Sequence, residues 1–342
     1  MNRRQLMLGG GALASAPLLG ACGNRGRVID TPPGLPVSRF GPNSTAEDVT
    51  EGLDLSGQVA LVTGCNSGIG YETMRVLALR GAHVIGTGRT EEKARKACAS
   101  VQGETTPVVL ELSDFDSVVR CSKAVQSLGR PIDMLICNAG YVAGSEQQHA
   151  YGLDLTFVIN HLGHFILVNR LLPQLLAAQQ GRVVMVSSFA ALNEPIVEIE
   201  FDNLGFKNDY DPLHSYAHSK LANALFSLEL SRRLSGSNVS SNALHPGVIK
   251  TNITRNQAGI AQWLFGIYAD LFNKSIPQGA ATSVFVATQP NLSSVSGYFF
   301  ADCNPIIVKQ PPNNLYNYAM AQRLWEKSTQ LTERWLSAEL QL

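Results

Sequence analysis

Excess charge is what this sequence most plainly lacks. Its 342 residues carry 27 Lys and Arg against 27 Asp and Glu, so no net field draws the chain to nucleic acid or to an acidic surface. No nucleic-acid partner is expected. Metal-ligand spacing is missing too. Cys22, Cys65, Cys98, Cys121, Cys137 and Cys303 form no Cys-x-x-Cys pair, and the odd number left beyond residue 22 suits no disulfide framework. Free, mostly buried thiols are expected. His161 and His164 share one helical stretch, but without a third ligand at sensible spacing they read as packing or surface residues. There is no internal repeat and no second-domain boundary.

The N-terminus stands apart from the rest. Arg3 and Arg4 are followed by a Gly- and Ala-rich stretch from Leu6 to Leu19, too short and too weakly apolar to span a bilayer comfortably. It ends in Leu19-Gly20-Ala21-Cys22. This order resembles a bacterial twin-arginine export signal with a lipoprotein processing site. The resemblance implies that Cys22 is lipidated and that the protein is anchored outside the cytoplasm; the alternative is a cytoplasmic protein. Cleavage before Cys22 would remove two arginines and no acid, leaving a slight negative charge. Residues 23–43 hold Pro32, Pro33, Gly34, Pro36, Gly41 and Pro42 and read as an exposed tether.

From Ser44 to Leu342 one domain is expected. Ser44 and Glu47 have capping-box spacing for a short helix. Strands are expected at Val59–Val62, His83–Gly86, Val108–Leu112, Met134–Cys137, Val183–Val186 and Val239–Leu244. Helical patterns lie between them, at Gly70–Arg80, Ser113–Leu128, Gly152–Ala177 and Tyr216–Leu234. Continuous apolar strands alternating with helices predict a single doubly wound Rossmann-type α/β domain, its mostly parallel sheet covered on both faces.

After the first of these strands comes Thr63-Gly64-Cys65-Asn66-Ser67-Gly68-Ile69-Gly70. Gly64, Gly68 and Gly70 allow a tight turn and close backbone approach to a pyrophosphate at a helix N-terminus. The second strand ends Gly86-Thr87-Gly88-Arg89, with no acid to hold an adenosine ribose. Arg89 offers a guanidinium to a 2′-phosphate, with Ser67 and Thr90 as neutral supports. NADP(H) is read over NAD(H). Asn138-Ala139-Gly140 follows the fourth strand at the sheet's C-terminal edge, where such ligands bind.

Tyr216 and Lys220 stand at i, i+4 on one helix face. A free tyrosine has a pKa of about 10 and is a poor base near neutrality. A neighbouring ammonium favours the phenolate and brings it toward working range. Upstream, Ser187 and Ser188 close a strand, and Asn160 lies in the helical stretch from Val158 to His164. A serine can bond a substrate carbonyl, and an asparagine can hold a relay water.

Thr-Gly-x-x-x-Gly-Ile-Gly at 63–70, Asn-Ala-Gly at 138–140, Asn160, Ser188, Tyr216 with Lys220, and Pro246-Gly247 with Thr251 occur in the order of the short-chain dehydrogenase/reductase family, which the chain resembles. Ser44–Gly57, Val158–Phe165 and Tyr298–Cys303 are similar to its retinol dehydrogenase-like and WW-domain-containing oxidoreductase-like branch. No WW domain is present. The resemblance implies Tyr216 as acid/base, Lys220 as binder of ribose hydroxyls, Ser188 at the reacting oxygen and Asn160 in the proton relay. It also implies cofactor contacts from Thr63, Gly64, Asn66, Ser67, Gly68, Ile69, Gly70, Arg89, Leu112, Asn138, Ala139, Gly140, Pro246, Gly247 and Thr251. Cys137 replaces the usual Asn, and Glu111 stands where an Asp commonly meets adenine.

The expected activity is hydride transfer between NADP(H) and an apolar alcohol, aldehyde or ketone. Trp263, Leu264, Phe265, Tyr268, Leu271 and Phe272, within Asn252–Ser275, would cap that substrate. The alternative is a cofactor-bound sensing or binding protein at the cell envelope, served by the acid-rich loop Glu194–Asp211. The family further implies a homodimer through the helices bearing Asn160 and Tyr216.

Overall fold

The computed structural model describes residues 28–192, 196–207, 210–247 and 274–336. Eleven strands are found among them: β1 Val28–Asp30, β2 Val59–Val62, β3 His83–Gly88, β4 Thr105–Val109, β5 Met134–Cys137, β6 His149–Ala150, β7 Leu153–Asp154, β8 Gly181–Val186, β9 Val239–His245, β10 Phe299–Ala301 and β11 Asn304–Gln310. Nine build one sheet in the order β1-β11-β10-β9-β8-β5-β2-β3-β4, while β6 and β7 pair by themselves. From β4 to β10 all neighbours are parallel; β11 runs antiparallel to both β10 and β1.

The helices are α1 Gly68–Leu79, α2 Glu91–Ala99, α3 Phe115–Gln126, α4 Leu155–Leu176, α5 Pro212–Arg233, α6 Ile276–Thr288 and α7 Tyr318–Thr332. Side chains alternate across a strand, so β2 feeds two cores at once. Val59 and Leu61 join α3, α4, α5 and α7 on one face, and Ala60 and Val62 join α1, α2 and α6 on the other. This is why the central strands read as unbroken apolar runs. Order reverses at β2, whose chain continues to β3 on one side while β5 pairs on the other. The crevice at the strands' carboxyl ends is the expected ligand position in such a sheet. The expected doubly wound fold is what the chain adopts.

Local expectations need correcting in several places. The capping pair lies one residue later: Thr45 and Asp48 exchange backbone-to-side-chain bonds at 2.8 and 3.2 Å, around a single turn at Asp48–Thr50. β4 runs Thr105–Val109 rather than the expected Val108–Leu112. As an edge strand it carries Thr and even Pro107, so apolar content misplaces it. Part of the expected tether is fastened to the fold. Val28–Asp30 pairs with β11, Ser38 N–H donates to Asn304 at 2.9 Å, and Phe40 packs edge-on to Phe285. Without β1, β11 would present an open edge.

α5 begins one turn before Tyr216, because Asp211 caps Leu213 N–H at 3.0 Å and Pro212 takes the first helical position. Among the described helices α4 is the one long and apolar enough to cross a membrane, yet 89% of its apolar window is buried in the fold. Its apolar residues serve the core.

The helices expected to form a dimer face are covered by the chain's own α7. Trp325 stacks on Phe226 at 5.6 Å and meets Phe165 edge-on at 5.1 Å, with the Arg233 guanidinium 4.4 Å above its ring.

Candidate active site

β2 delivers the chain into the glycine turn, and the backbone there leaves no alternative to glycine. Gly64 has φ +75°, a conformation that L side chains avoid. At Gly70 a Cβ would lie 2.3 Å from Gly64 O and 2.4 Å from Asn138 Nδ2. Ser67 occupies the N-cap of α1 in extended conformation, but its side chain makes no capping bond. The first-turn N–H groups therefore lack a side-chain partner where Asn66, Ser67, Gly68 and Ile69 line a cavity of about 690 Å³. Uncapped amides and the positive end of a helix suit an anionic pyrophosphate.

On the β3 side of this turn Gly88 packs against α2, where a Cβ would come within 2.8 Å of Ala94 N. Arg89 and Lys93 both line the cavity. Thr90 between them caps α2, accepting from Lys93 N–H at 3.3 Å. Glu111 also lines the cavity, with its carboxylate turned back on Ser113 N–H and Oγ–H at 3.1 and 2.7 Å. Leu112 lines the same wall.

On the other side, β5 ends in buried Cys137, whose thiol is pushed well above its usual pKa by burial. It packs in the core rather than bonding at the sheet edge. Asn138, Ala139 and Gly140 follow and line the cavity. Thr63 lies beneath them, fully buried. Its hydroxyl accepts N–H from Asn138 and Ala139, both at 2.9 Å, and its carbonyl accepts Asn138 Nδ2 at 2.8 Å. Thr63 thus holds the cofactor wall from behind.

Asn160 is no surface position. It is buried in a π-turn at Val158–Leu162, within α4. Its Oδ1 accepts Tyr141 N–H at 2.7 Å, and its Nδ2 donates to Tyr141 O and Ser219 Oγ, each at 2.9 Å. The side chain mimics a strand partner for Tyr141. A Cβ placed on Gly140 would be 3.4 Å from Lys220 Nζ and 3.7 Å from Asn160 Oδ1, so these two groups converge beside Gly140.

Tyr216 and Lys220 both line the cavity, with Nζ 5.6 Å from the tyrosine ring centroid. Lys220 Nζ donates to Val186 O at 3.0 Å. Burial pulls its pKa down from near 10.5 to about 8. Ser187 lines the cavity, its hydroxyl donating to Lys220 O at 2.6 Å. Ser188 is half-buried outside the lining, where its Oγ accepts Ala190 N–H at 3.1 Å. Pro246 reaches the cavity; Gly247 stands beside it, packed on Lys274.

One cavity therefore gathers Gly64, Asn66, Ser67, Gly68, Ile69, Gly70, Arg89, Leu112, Asn138, Ala139, Gly140, Tyr216, Lys220 and Pro246. Thr63, Asn160, Ser188 and Gly247 lie outside its lining. Thr251, the apolar segment from Trp263 to Phe272, the signal and Cys22 fall outside the described residues. In the acid-rich loop Glu200 is engaged internally, by His214 at 2.6 Å and Asn203 at 3.0 Å. His161 and His164 are buried, and among the described residues no group of His, Cys, Asp and Glu could hold a metal. Lys93, Tyr141 and Ile159 were not expected in the lining. The spacing of Lys93, one turn after Arg89 at a helix start, could have flagged it.

The short chain dehydrogenase family matches residues 58–201. The chain is 37% identical over 308 residues to short-chain dehydrogenase TIC 32 A, chloroplastic, of Brassica napus, covering 86% of this chain and 95% of that protein. It is 36% identical over 328 residues to the WW domain-containing oxidoreductase of Homo sapiens, covering 91% and 77%. With retinol dehydrogenase 12 of Mus musculus it shares 37% over 287 residues, covering 82% and 88%. A crystal structure of an uncharacterised protein from Mycobacterium paratuberculosis superposes with a TM-score of 0.66 at 31% identity, covering 83% of this chain and 97% of that one.

Proposed function

The chain belongs to the short-chain dehydrogenase family, oxidoreductases that act on CH–OH groups with a nicotinamide cofactor, and from that premise we propose that it moves hydride between NADP(H) and the hydroxyl or carbonyl carbon of an apolar alcohol, aldehyde or ketone. The observation that carries this reading is the joining of two charge centres in one cavity. Arg89 and Lys93 line it on the β3 side and Tyr216 and Lys220 near β8, with the glycine turn between. Two cations beside β3, with the lining carboxylate of Glu111 turned back on Ser113, favour a 2′-phosphate over a bare ribose. Supporting an apolar substrate are Val142, Ile159 and the ring of Tyr141 in the lining, and the name of a retinol dehydrogenase relative.

The glycine turn and the α1 amides would hold the pyrophosphate, and Asn138–Gly140 would wall the nicotinamide. Bound there, the nicotinamide supplies the hydride donor or acceptor. Tyr216 gives its phenolic proton to the carbonyl oxygen in reduction and takes it back in oxidation. The Lys220 ammonium stabilises the phenolate left behind, and its remaining N–H groups serve ribose hydroxyls. Ser188 steadies the reacting oxygen after turning from Ala190. Asn160 keeps Tyr141 and the proton path in place.

The proposal extends to location. Arg3, Arg4 and Cys22 stand in the order of a lipoprotein export signal, which would place the enzyme on the outer face of a membrane.

The test is oxidation of NADPH or NADH with a panel of apolar aldehydes and ketones, run beside Tyr216→Phe. The variant should fold, bind nucleotide and lose on the order of 10² to 10⁴ in rate. An inert wild type, or near-normal kcat in the variant, would refute the reading.

A further inference from the structure

Three buried histidines lie behind the cavity, and one of them differs from the others. His161 and His218 each leave Nδ1 without a hydrogen-bond partner. Their Nε2 atoms meet Ser328 on α7 and Glu200 N–H in the acid-rich loop, both away from the cavity. His164 is paired at both nitrogens. Nδ1 lies 3.0 Å from the Asn160 carbonyl oxygen and Nε2 lies 3.0 Å from Thr63 Oγ1.

The Thr63 hydroxyl fixes which way these bonds run. Its oxygen already accepts two backbone N–H groups, from Asn138 and Ala139. Its own proton is then directed to His164 Nε2. The ring must carry its proton on Nδ1 and donate to Asn160. A charged ring would confront Thr63 with a third donor. Burial, aided by the Lys220 charge, pulls the His164 pKa down to about 4 and keeps the ring neutral. Lys220 on α5 is the charged group acting on it, against the raising effect of the Asn160 carbonyl, and His164 in turn lowers His161 on α4.

The bond to Asn160 falls where the helix is irregular. Gly163 N–H reaches back five residues to Val158 O, so carbonyls in this turn leave the α register. We propose that His164 is a positioning residue for the reaction: it holds the Asn160 carbonyl in the π-turn and ties it, through Thr63, to the loop that walls the cofactor. The relay residue and the cofactor wall thereby keep one spacing. This rests on the hydride-transfer reading above, and it assigns a role to a side chain that never touches the cavity.

Three substitutions separate the two bonds. His164→Leu removes both. His164→Asn places an amide where Nδ1 stood and keeps the grip on Asn160. His164→Gln reaches the Nε2 position and keeps only Thr63. With NADPH and decanal, His164→Leu should lose on the order of 10²-fold in kcat, the cost of a small misplacement at a reacting centre, while KM for NADPH changes less than about threefold. Its kcat–pH profile should shift, because the groups around Lys220 are no longer held. His164→Asn should recover to within about fivefold of wild type with a normal profile, and His164→Gln should behave like His164→Leu. A folded His164→Leu with near-normal kcat, or a His164→Asn as poor as His164→Leu, overturns the proposal.

A second measurement needs no variant and no turnover. Nitrogen-15 NMR of the wild-type ring should show the Nδ1–H tautomer, neutral to about pH 5. An Nε2–H tautomer, or titration near the usual histidine value, overturns it too. Should the wild type reduce no carbonyl at all, the functional reading fails on its own account, and the tautomer still decides the wiring proposed here.

Discussion

Replacing Lys220 by Met should make the nucleotide-free protein more stable and inactive. The side chain is 3% exposed, and burial takes its pKa from near 10.5 to about 8. That difference is worth about 3 kcal/mol against the charged form. Methionine fills similar space without charge. Its cost is the charge-assisted bond to Val186 O, about 2 kcal/mol. That carbonyl keeps a partner, because Asn223 Nδ2 also donates to it at 3.3 Å.

The net gain at pH 6.5 is then about 1 kcal/mol. Below pH 8 both folded and unfolded chains carry the ammonium, and the burial penalty is fully present. Between pH 8 and about 10.5 the folded lysine has lost its proton while the unfolded one still holds it. Wild-type stability therefore rises across this window relative to the variant, and the advantage of Lys220→Met disappears.

Urea unfolding of both proteins from pH 6.5 to 10.5 measures this difference. The difference matters because the buried thiols act oppositely. Cys121 and Cys303 are pushed by burial to about 12, so unfolding exposes them to deprotonation and favours the unfolded chain as pH rises. That contribution is common to both proteins and cancels. A pH-independent difference, or a variant less stable than wild type at pH 6.5, would refute the account of Lys220. A gain in stability with loss of turnover is the expected signature of a site built at the fold's expense.

Arg89→Asp should cut kcat/KM with NADPH by about 10- to 100-fold, the worth of a lost charge-assisted contact, and spare NADH; a wild type that already prefers NADH would contradict the role of Arg89. Gly70→Ala forces a methyl against Gly64 O and Asn138, an overpacking cost of about 1–3 kcal/mol. Fluorescence titration should show NADPH affinity falling by about tenfold or more, and unchanged affinity would mean that the turn adjusts freely. Cys22→Ala should release the protein from the membrane fraction, and Lys at positions 3 and 4 should retain the precursor inside. Failure of labelled fatty acid to enter the wild-type protein would end the export model and leave the enzymatic one standing.

The features legible in the sequence are those set by neighbours along the chain. Val59–Val62 followed by a glycine turn and a helical period specifies a strand-turn-helix unit. Tyr216 and Lys220 share a helix face by spacing alone. Repeated apolar strands between helices require a parallel sheet covered on both sides, because nothing else hides such runs from water. The capping pair falls one residue beyond the position that the pattern suggests, since Ser44–Glu47 and Thr45–Asp48 offer the same spacing and only the chain's path chooses between them.

Long-range pairing was decided by the tertiary structure. Val28–Asp30 looked like tether because three residues carry no period; it became a strand because β11, far along the chain, offered an edge. Lys93 entered the site only when α2 was packed against β3 through Gly88. α7 covers α4 and α5 where Trp325 packs on both Phe165 and Phe226. Sequence spacing alone left His164 as a packing or surface residue; its bond to Thr63 spans 101 positions. Local periodicity is written in adjacent residues. Hydrogen-bond partners at that separation, and the neutral ring they enforce, exist only once the sheet has brought β2 and α4 together.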